Sequence, residues 1–556
     1  MSVQLQEQPA SVLQTRASID FDAIVVGAGF AGLYALYQLR KCGHSVLCIE
    51  AASGVGGTWY WNRYPGARVD LESHEYSYSF DEALQQEWVW SERYSPQPEL
   101  MRYLNHVTDR FDLRRDIRFN TRVTAAHWDD ASRTWMLTTE DGTSLRTRYC
   151  VMATGFLSAP NKPPFKGLER YQGRQFQTGR WPHEKVDFTG RKVGVIGTGS
   201  SAIQSIPVIA EEAGHLTVFQ RTPAFTVPAR NAPLDPERDA YVKERYSELR
   251  RLEIEATAGG FLLTDGKIEL PTQISFANAS PEERRAEFER RYRSGGLNMY
   301  NSYTDLLMNK AANDALADFM REKIRERVKD PVVAEKLTPR GWPILTKRLC
   351  ADTNYYETYN RDNVTLVDIK DTPIEEFTET GLRVGGQEYL LDDVVFATGF
   401  DAMTGALDRI DIRGRGGKSL KAYWTDGPRT FLGFMTHGFP NLFLIDGPSS
   451  LGAVFQPILL SQFEADWLGD CFDWMKREGH TTIEPRAEDE DAWVRHCSEV
   501  AETTLFPQTN SWYMGANIPG KPRVILTYLG GFQEYRRRFL EAAADGYSGF
   551  VIDQEK

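Results

Sequence analysis

Phe21–Leu39 reads FDAIVVGAGFAGLYALYQL, and its reading decides the fold. The apolar run Ala23–Val26 predicts a buried strand, and the apolar residues after it recur at helical spacing. Between them stands Gly27-Ala28-Gly29-Phe30-Ala31-Gly32. A second short strand is expected over 45–49, ending at Glu50. Strand, glycine turn, helix, strand and acid in this order make a dinucleotide-binding unit. Gly27 permits the tight turn, Gly29 lets backbone N–H groups approach a pyrophosphate, and Gly32 lets the helix lie on the strand. Glu50 reaches both ribose hydroxyls. A glycine triplet alone is a weak signal; here its flanks are all in place.

A second unit follows at Arg191–Pro223, RKVGVIGTGSSAIQSIPVIAEEAGHLTVFQRTP. Its strand is Val193–Ile196 and its turn is Gly197-Thr198-Gly199-Ser200-Ser201, with Ala202 where a third glycine would pack. The next strand, Leu216–Gln220, leads into Arg221-Thr222 and carries no acid. An acid there would repel a 2′-phosphate, whereas arginine pairs with one through a charge-assisted fork. The second nucleotide is therefore expected to be NADPH and not NADH. Two later segments, Tyr149–Leu157 (YCVMATGFL) and Asp393–Asp401 (DVVFATGFD), resemble the ATG motif of two-dinucleotide flavoproteins. In those proteins the chain crosses there between its nucleotide domains, and the first nucleotide is FAD. Asn441–Pro448 (NLFLIDGP) resembles the late strand that closes the flavin domain.

The expected fold class is α/β, with two Rossmann-like dinucleotide-binding domains in three layers and a helical insertion in the NADPH domain. The order of elements divides the chain as follows: a flexible leader over 1–20, FAD-domain segments over 21–155 and 391–556, and NADPH-domain segments over 156–225 and 335–390. Residues 226–334 lack strand alternation and carry PEERRAEFERRYRS and NDALADFMREKIRERV, so they are expected to be the helical insertion.

Bulk properties agree and exclude some classes. A chain of 556 residues exceeds one core and implies two or three domains. The net charge of -12 argues against a nucleic-acid surface and gives no reason to expect an acidic membrane. The polar N-terminus has no apolar signal region, and no stretch approaches a membrane span, so a cytoplasmic location is expected. Cysteines 42, 48, 150, 350, 471 and 497 form no CxxC pair, which counts against a flavin disulfide reductase. The nine histidines are scattered, and no metal site is expected.

Three further segments carry a resemblance. Gly56–Asp70 reads GGTWYWNRYPGARVD and matches every constrained position of a fingerprint of type I Baeyer–Villiger monooxygenases: Gly57, Trp59, Tyr64, Pro65, Gly66 and Asp70. Tyr171–Pro182 resembles the family's FxGxxxHxxxWP pattern, with Tyr171 for Phe and Gln177 at the histidine position. Glutamine exchanges hydrogen bonds but cannot become a cation, so altered domain coupling or pH response is expected there. Trp342–Glu357 resembles the region of the family's active-site arginine, which falls on Arg348. The resemblance runs from about residue 21 to 552.

What the resemblance implies is an FAD- and NADPH-dependent oxidation of a small-molecule ketone by O2 to an ester or lactone, through a C4a-peroxyflavin. Arg348 and Asp70 are the implied catalytic residues. The implied cofactor site holds Gly57, Thr58, Trp59, Asp70 and Tyr76 on the flavin side. On the NADPH side it holds Arg221, Thr222, Lys347, Arg348 and Trp512, besides the two glycine turns. The segment GPSSLGAVFQP departs from the family's Ser/Pro-rich bulge, making Leu451, Phe455 and Pro457 candidates for a reshaped substrate pocket. A flavin N- or S-monooxygenase and an uncoupled NADPH oxidase releasing H2O2 remain as alternatives. No nucleic-acid or membrane partner is expected, and the chain is expected to be a monomer or weak homo-oligomer.

Overall fold

The computed structural model describes residues 18–256, 260–451 and 455–553. Residues 1–17 of the expected leader lie outside them.

Two sheets organise the molecule, the first mixed and the second all parallel. The first has eight strands, ordered Asp411–Arg413, Val123–Asp129, Thr134–Thr139, Ser144–Met152, Phe21–Val26, Val46–Ile49, Ile117–Arg118, with Leu442–Leu444 joined to Ser144–Met152. The nine-residue strand Ser144–Met152 serves three neighbours: Phe21–Val26 along one edge and two strands along the other. Its first half pairs antiparallel with Thr134–Thr139, and its last three residues pair parallel with Leu442–Leu444. The apolar run Ala23–Val26 is buried on both faces, as a central parallel strand requires. Helix Phe30–Lys41 leaves the glycine turn and packs on Pro457–Glu478, where Tyr34 Oη donates to Asp466 at 2.7 Å. Beneath them Tyr149 stacks on Phe472 with centroids 3.7 Å apart. Burying an aromatic ring of this size contributes about 1.5–3 kcal/mol.

The second sheet has five strands, all parallel, ordered Val364–Asp368, His215–Gln220, Lys192–Ile196, Asp393–Phe396, Arg174–Gln177. This overturns one expected boundary. Residues 393–396 were expected at the head of the second FAD segment, yet they pair with 193–196 and 174–177. The cause is the run Asp393–Phe396 itself. It is fully buried, and Asp393 pairs with Arg174 and Arg191 on that sheet. The crossing to the first sheet therefore comes after Phe396.

The segment 226–334 is mostly helical, with helices Pro236–Glu244, Tyr246–Glu255, Pro281–Ser294 and Lys310–Arg327, and Pro331–Leu337 runs past its end. It also holds short strands that helical patterning did not disclose. Thr226–Pro228 pairs with Cys350–Asp352, and Leu263–Thr264 pairs with Lys267–Ile268 around a turn at Asp265-Gly266. Pairs of two or three residues are too short to leave an alternating pattern. Among the described residues no helix is long and apolar enough to cross a membrane, and no His/Cys/Asp/Glu group is arranged to hold a metal.

Candidate cofactor and active site

The first glycine turn has no room for side chains. Gly27 has φ +108°, and a Cβ there would lie 2.5 Å from Ala153 O. A Cβ on Gly32 would lie 1.8 Å from Gly27 O. Gly29 faces the fingerprint loop, where a Cβ on Gly57 would stand 2.9 Å from Gly29 Cα. Two backbones thus meet edge to edge. Glu50 is buried beneath the turn, and its two oxygens accept the Ala28 and Ala52 N–H groups, both at 2.7 Å. Burial raises the proton affinity of its carboxyl, against those two bonds and Arg122.

The fingerprint loop is tied to this turn by aromatic contacts. Trp59, in the short helix Thr58–Trp61, donates from Nε1 to Tyr76 Oη at 3.0 Å. The Tyr76 ring stands edge-on to Trp59 and to Phe30 of the turn. Asp446, just past strand Leu442–Leu444, has one oxygen bonded to Ser461 and one buried with no partner. Burial pushes its carboxyl up to about 7. It lies at the carboxyl end of the sheet, where open α/β sheets bind ligands.

The second turn is open. Gly197 repeats the geometry of Gly27, with φ +113° and a hypothetical Cβ 2.3 Å from Ala397 O. Around Gly199, however, nothing lies within 4 Å of a Cβ, and Gly199 and Ser200 are exposed. Ser201 is half-buried on the first turn of the helix. Thr198 donates to Thr222 O at 2.7 Å and fixes the strand exit that carries Arg221. Lys347 lies 4.9 Å from the Trp342 ring centre. Burial and Arg221 together lower its proton affinity. Two neighbouring cations without an acidic partner among the described residues are set to receive a dianion.

Between the two turns lies Arg348. Its Nε and Nη2 donate to the two Asp70 oxygens at 3.0 and 2.7 Å, a fork-to-fork pair. Side-chain exposures of 21% and 25% keep both within reach of a bound molecule. Burial opposes the charge on Arg348, but Asp70 outweighs it and holds the proton more tightly than usual. Phe261, whose ring centre is 5.7 Å from the guanidinium, stacks on Tyr300 at 5.3 Å. Tyr513 lies within electrostatic reach of Tyr300, Arg348 and Asp70, and Trp512 stacks on it at 4.1 Å. Gln204 of helix Ser200–Glu212 ties the second sheet to the fingerprint loop. It accepts from Tyr64 Oη at 2.8 Å and donates to Arg68 O at 3.0 Å.

The structure thus brings Asp70, Arg348, Lys347 and the residues around both turns to one interface between the sheets. Leu451 and Phe455 are buried, Phe455 stacks on Phe532 at 4.3 Å, and Pro457 opens helix Pro457–Glu478. A Cβ on Gly260 would meet Leu71 at 3.3 Å and Gln456 at 3.6 Å, so the Phe455–Pro457 segment borders the residue after Asp70. Gln177 ends strand Arg174–Gln177, and its buried Nε2 has no partner. Phe261, Tyr300, Gln204 and Asp446 escaped sequence reading. The first two sit in the insertion without a motif, while an acid inside the apolar run Leu442–Ile445-Asp446 could have signalled the last.

A family model described as pyridine nucleotide-disulphide oxidoreductase matches residues 24–259. All six cysteines are free, so the disulphide part of that description has no counterpart here. A Baeyer–Villiger monooxygenase of Pseudooceanicola batsensis is 44% identical over 540 residues, covering 96% of this chain and 97% of its own. Among solved structures, an oxidized steroid monooxygenase bound to NADP is 50% identical with a TM-score of 0.90, covering 96% and 99% of the two chains. The OTEMO complex with FAD and NADP is 41% identical with a TM-score of 0.92, covering 96% and 100%. Two glycine turns, a forked Arg348–Asp70 pair between them and full-length likeness at this identity lead to one conclusion: the chain belongs to the Baeyer–Villiger monooxygenase family.

Proposed function

We propose that this chain uses NADPH and O2 to convert a ketone into an ester or lactone, with Arg348 and Asp70 as its catalytic pair. The observation that carries the reading is the bidentate pair, part-exposed and walled by Phe261, Tyr300 and Tyr513. The residues present fit both cofactors. Gly27, Gly29, Gly32, Glu50, Gly57, Thr58, Trp59 and Tyr76 would hold FAD, and the unpartnered Asp446 oxygen adds a polar contact on that side. Gly197, Thr198, Gly199, Ser200, Ser201, Arg221, Thr222, Lys347 and Trp512 would hold NADPH, with the 2′-phosphate on Arg221 and Lys347.

FAD supplies the hydride acceptance and oxygen activation when bound. The protein supplies charge and exclusion. Arg348 stays cationic at any working pH and places that charge where the attacked carbonyl oxygen becomes negative. Asp70 holds the fork's orientation, and its removal would free the guanidinium to swing. Pre-aimed charge of this kind contributes about 3–4 kcal/mol to the barrier. Leu451, Phe455 and Pro457 would shape the substrate side.

The same reading divides the chain into an FAD domain around the eight-stranded sheet and an NADPH domain around the five-stranded sheet, with the boundary after Phe396. Segments 221–237, 358–364, 397–407 and 511–524 resemble phenylacetone monooxygenase, which puts aryl ketones among the substrate candidates. Gln177, whose buried Nε2 has no partner at the edge of the five-stranded sheet, favours weakened coupling as a second trait. A panel of linear, aryl, cyclic and bulky ketones, with one sulfide, tests all of this. Ester mass and H2O2 are followed against NADPH consumed. Sulfoxide or H2O2 as the sole product would replace the ketone reading.

A further inference from the structure

Glu72 and Glu75 lie two and five residues beyond Asp70 and turn their carboxylates onto one loop of the insertion. Glu75 accepts the Leu262 N–H at 2.8 Å. Glu72 accepts the Asp265 and Gly266 N–H groups at 3.1 and 3.3 Å and is paired with Arg93. The main-chain carbonyl of Glu75 also accepts Gln456 Nε2, next to Phe455, and Arg250 at 3.2 Å. Both glutamates are buried. The loop they grip carries Phe261, a bulky residue held at φ +63°. A conformation that side chains of this size avoid persists only where its surroundings impose it. The peptide that follows Phe261 is held at both of its polar groups: Glu75 accepts its N–H, on Leu262, and Asn301 Nδ2 donates to its carbonyl, on Phe261, at 2.9 Å. The ring so placed stacks on Tyr300 and stands over Arg348.

We infer that Glu75 is a positioning residue for the oxygenation step: through Leu262 it sets the Phe261 ring against the Arg348–Asp70 pair and so shapes the side from which a ketone approaches. This rests on the ketone reading above and deepens it. The groups around the Glu75 carboxyl are Glu72, Glu253, Arg250 and, through Arg250, His74 and Ser77. Burial first, then Glu253 and Glu72, hold it well above the ordinary carboxyl range. A neutral amide therefore reproduces its acceptor, and the role needs no charge.

The test compares E75A, E75D and E75Q, using phenylacetone and cyclohexanone as probes. In E75A and in E75D, which is one methylene too short to reach Leu262, the ketone KM should rise about tenfold and the ester formed per NADPH should fall by more than about half. Anaerobic flavin reduction by NADPH should stay within about twofold, and E75Q should restore both ketone readouts. E75D leaves little cavity and keeps the question open to measurement if E75A does not fold. Unchanged ketone KM and coupling in E75D overturn the inference, as does a loss in E75Q equal to that in E75A. An equal loss in flavin reduction assigns Glu75 to general structure and also overturns it. A wild-type protein that makes no ester from any ketone would remove the functional reading itself, which is a separate outcome.

Discussion

The two glycine turns are built alike and finished oppositely. At the first, Gly27, Gly29 and Gly32 are pressed against Ala153, Gly57 and the turn itself, and the closing acid, Glu50, is buried with both oxygens bonded. At the second, Gly197 is equally cramped, but Gly199 faces open space, Ala202 replaces the third glycine, and the strand closes on Arg221 with Lys347 nearby. The first turn buries its acid; the second sets an exposed arginine beside a half-buried lysine. A nucleotide enclosed by backbone and buried acid has a long residence, whereas one held at an open edge by two cations exchanges, as a consumed co-substrate must. Under the function proposed above, the shared strand–turn–helix would serve a prosthetic group in one place and a passing reductant in the other.

The largest break in this contrast should come from the cramped turn. Gly32→Ala drives a methyl into Gly27 O and should cost about 3 kcal/mol or more, giving protein with little bound flavin by absorbance ratio. Gly199→Ala meets no atom and should keep its flavin. Equal flavin content in both variants would mean that the two turns do not differ as described. Next, Arg348→Ala should lower ester formation about 100- to 1,000-fold while flavin reduction is largely kept. Ester formation near the wild-type rate would remove Arg348 from the chemistry.

Arg221→Ala and Lys347→Ala should each raise the KM for NADPH about 10- to 100-fold, with little change for NADH. A parallel rise for both nucleotides would mean that the cations do not read the 2′-phosphate. Because burial and Arg221 lower the proton affinity of Lys347, its charge is lost earlier as pH rises. The KM for NADPH should therefore climb on the alkaline side below the usual lysine range, and Lys347→Arg should flatten that climb.

The smallest effect concerns the buried acids. Asp446 binds its proton more tightly folded than unfolded, with a folded value of about 7 against an ordinary 3.8. The folded state thus holds more protons between those values, and stability should fall as pH rises through them and level off above about 7. Asp446→Asn should lessen that slope in melting temperature between pH 5 and pH 8, and an unaltered slope would assign the pH response to other buried carboxyls such as Glu464.

Much of this was legible in the chain because local sterics wrote it there. Gly27, Gly29, Gly32 and Gly197 answer to backbone geometry within a few residues, and an apolar run ending in a glycine turn announces its strand whatever surrounds it. Gly56–Asp70 and Arg348 were found by resemblance, since no local rule assigns a role to an arginine beside a lysine. The short strands at 226–228, 263–264 and 267–268 left no periodicity to read, and Phe261 and Tyr300 lie in a segment whose pattern reports only helix faces.

The amino-acid order by itself determined the two nucleotide units, the choice between an acid and a base at the end of each, and the absence of paired cysteines, because these depend on neighbours along the chain. Only the tertiary structure decided that Asp393–Phe396 joins the second sheet and that Arg348 meets both Asp70 oxygens, a pairing across 278 residues that only a resemblance had suggested. It alone decided that Glu75 grips Leu262. Such contacts are selected by burial and hydrogen-bond satisfaction between distant segments, and sequence distance carries no record of them.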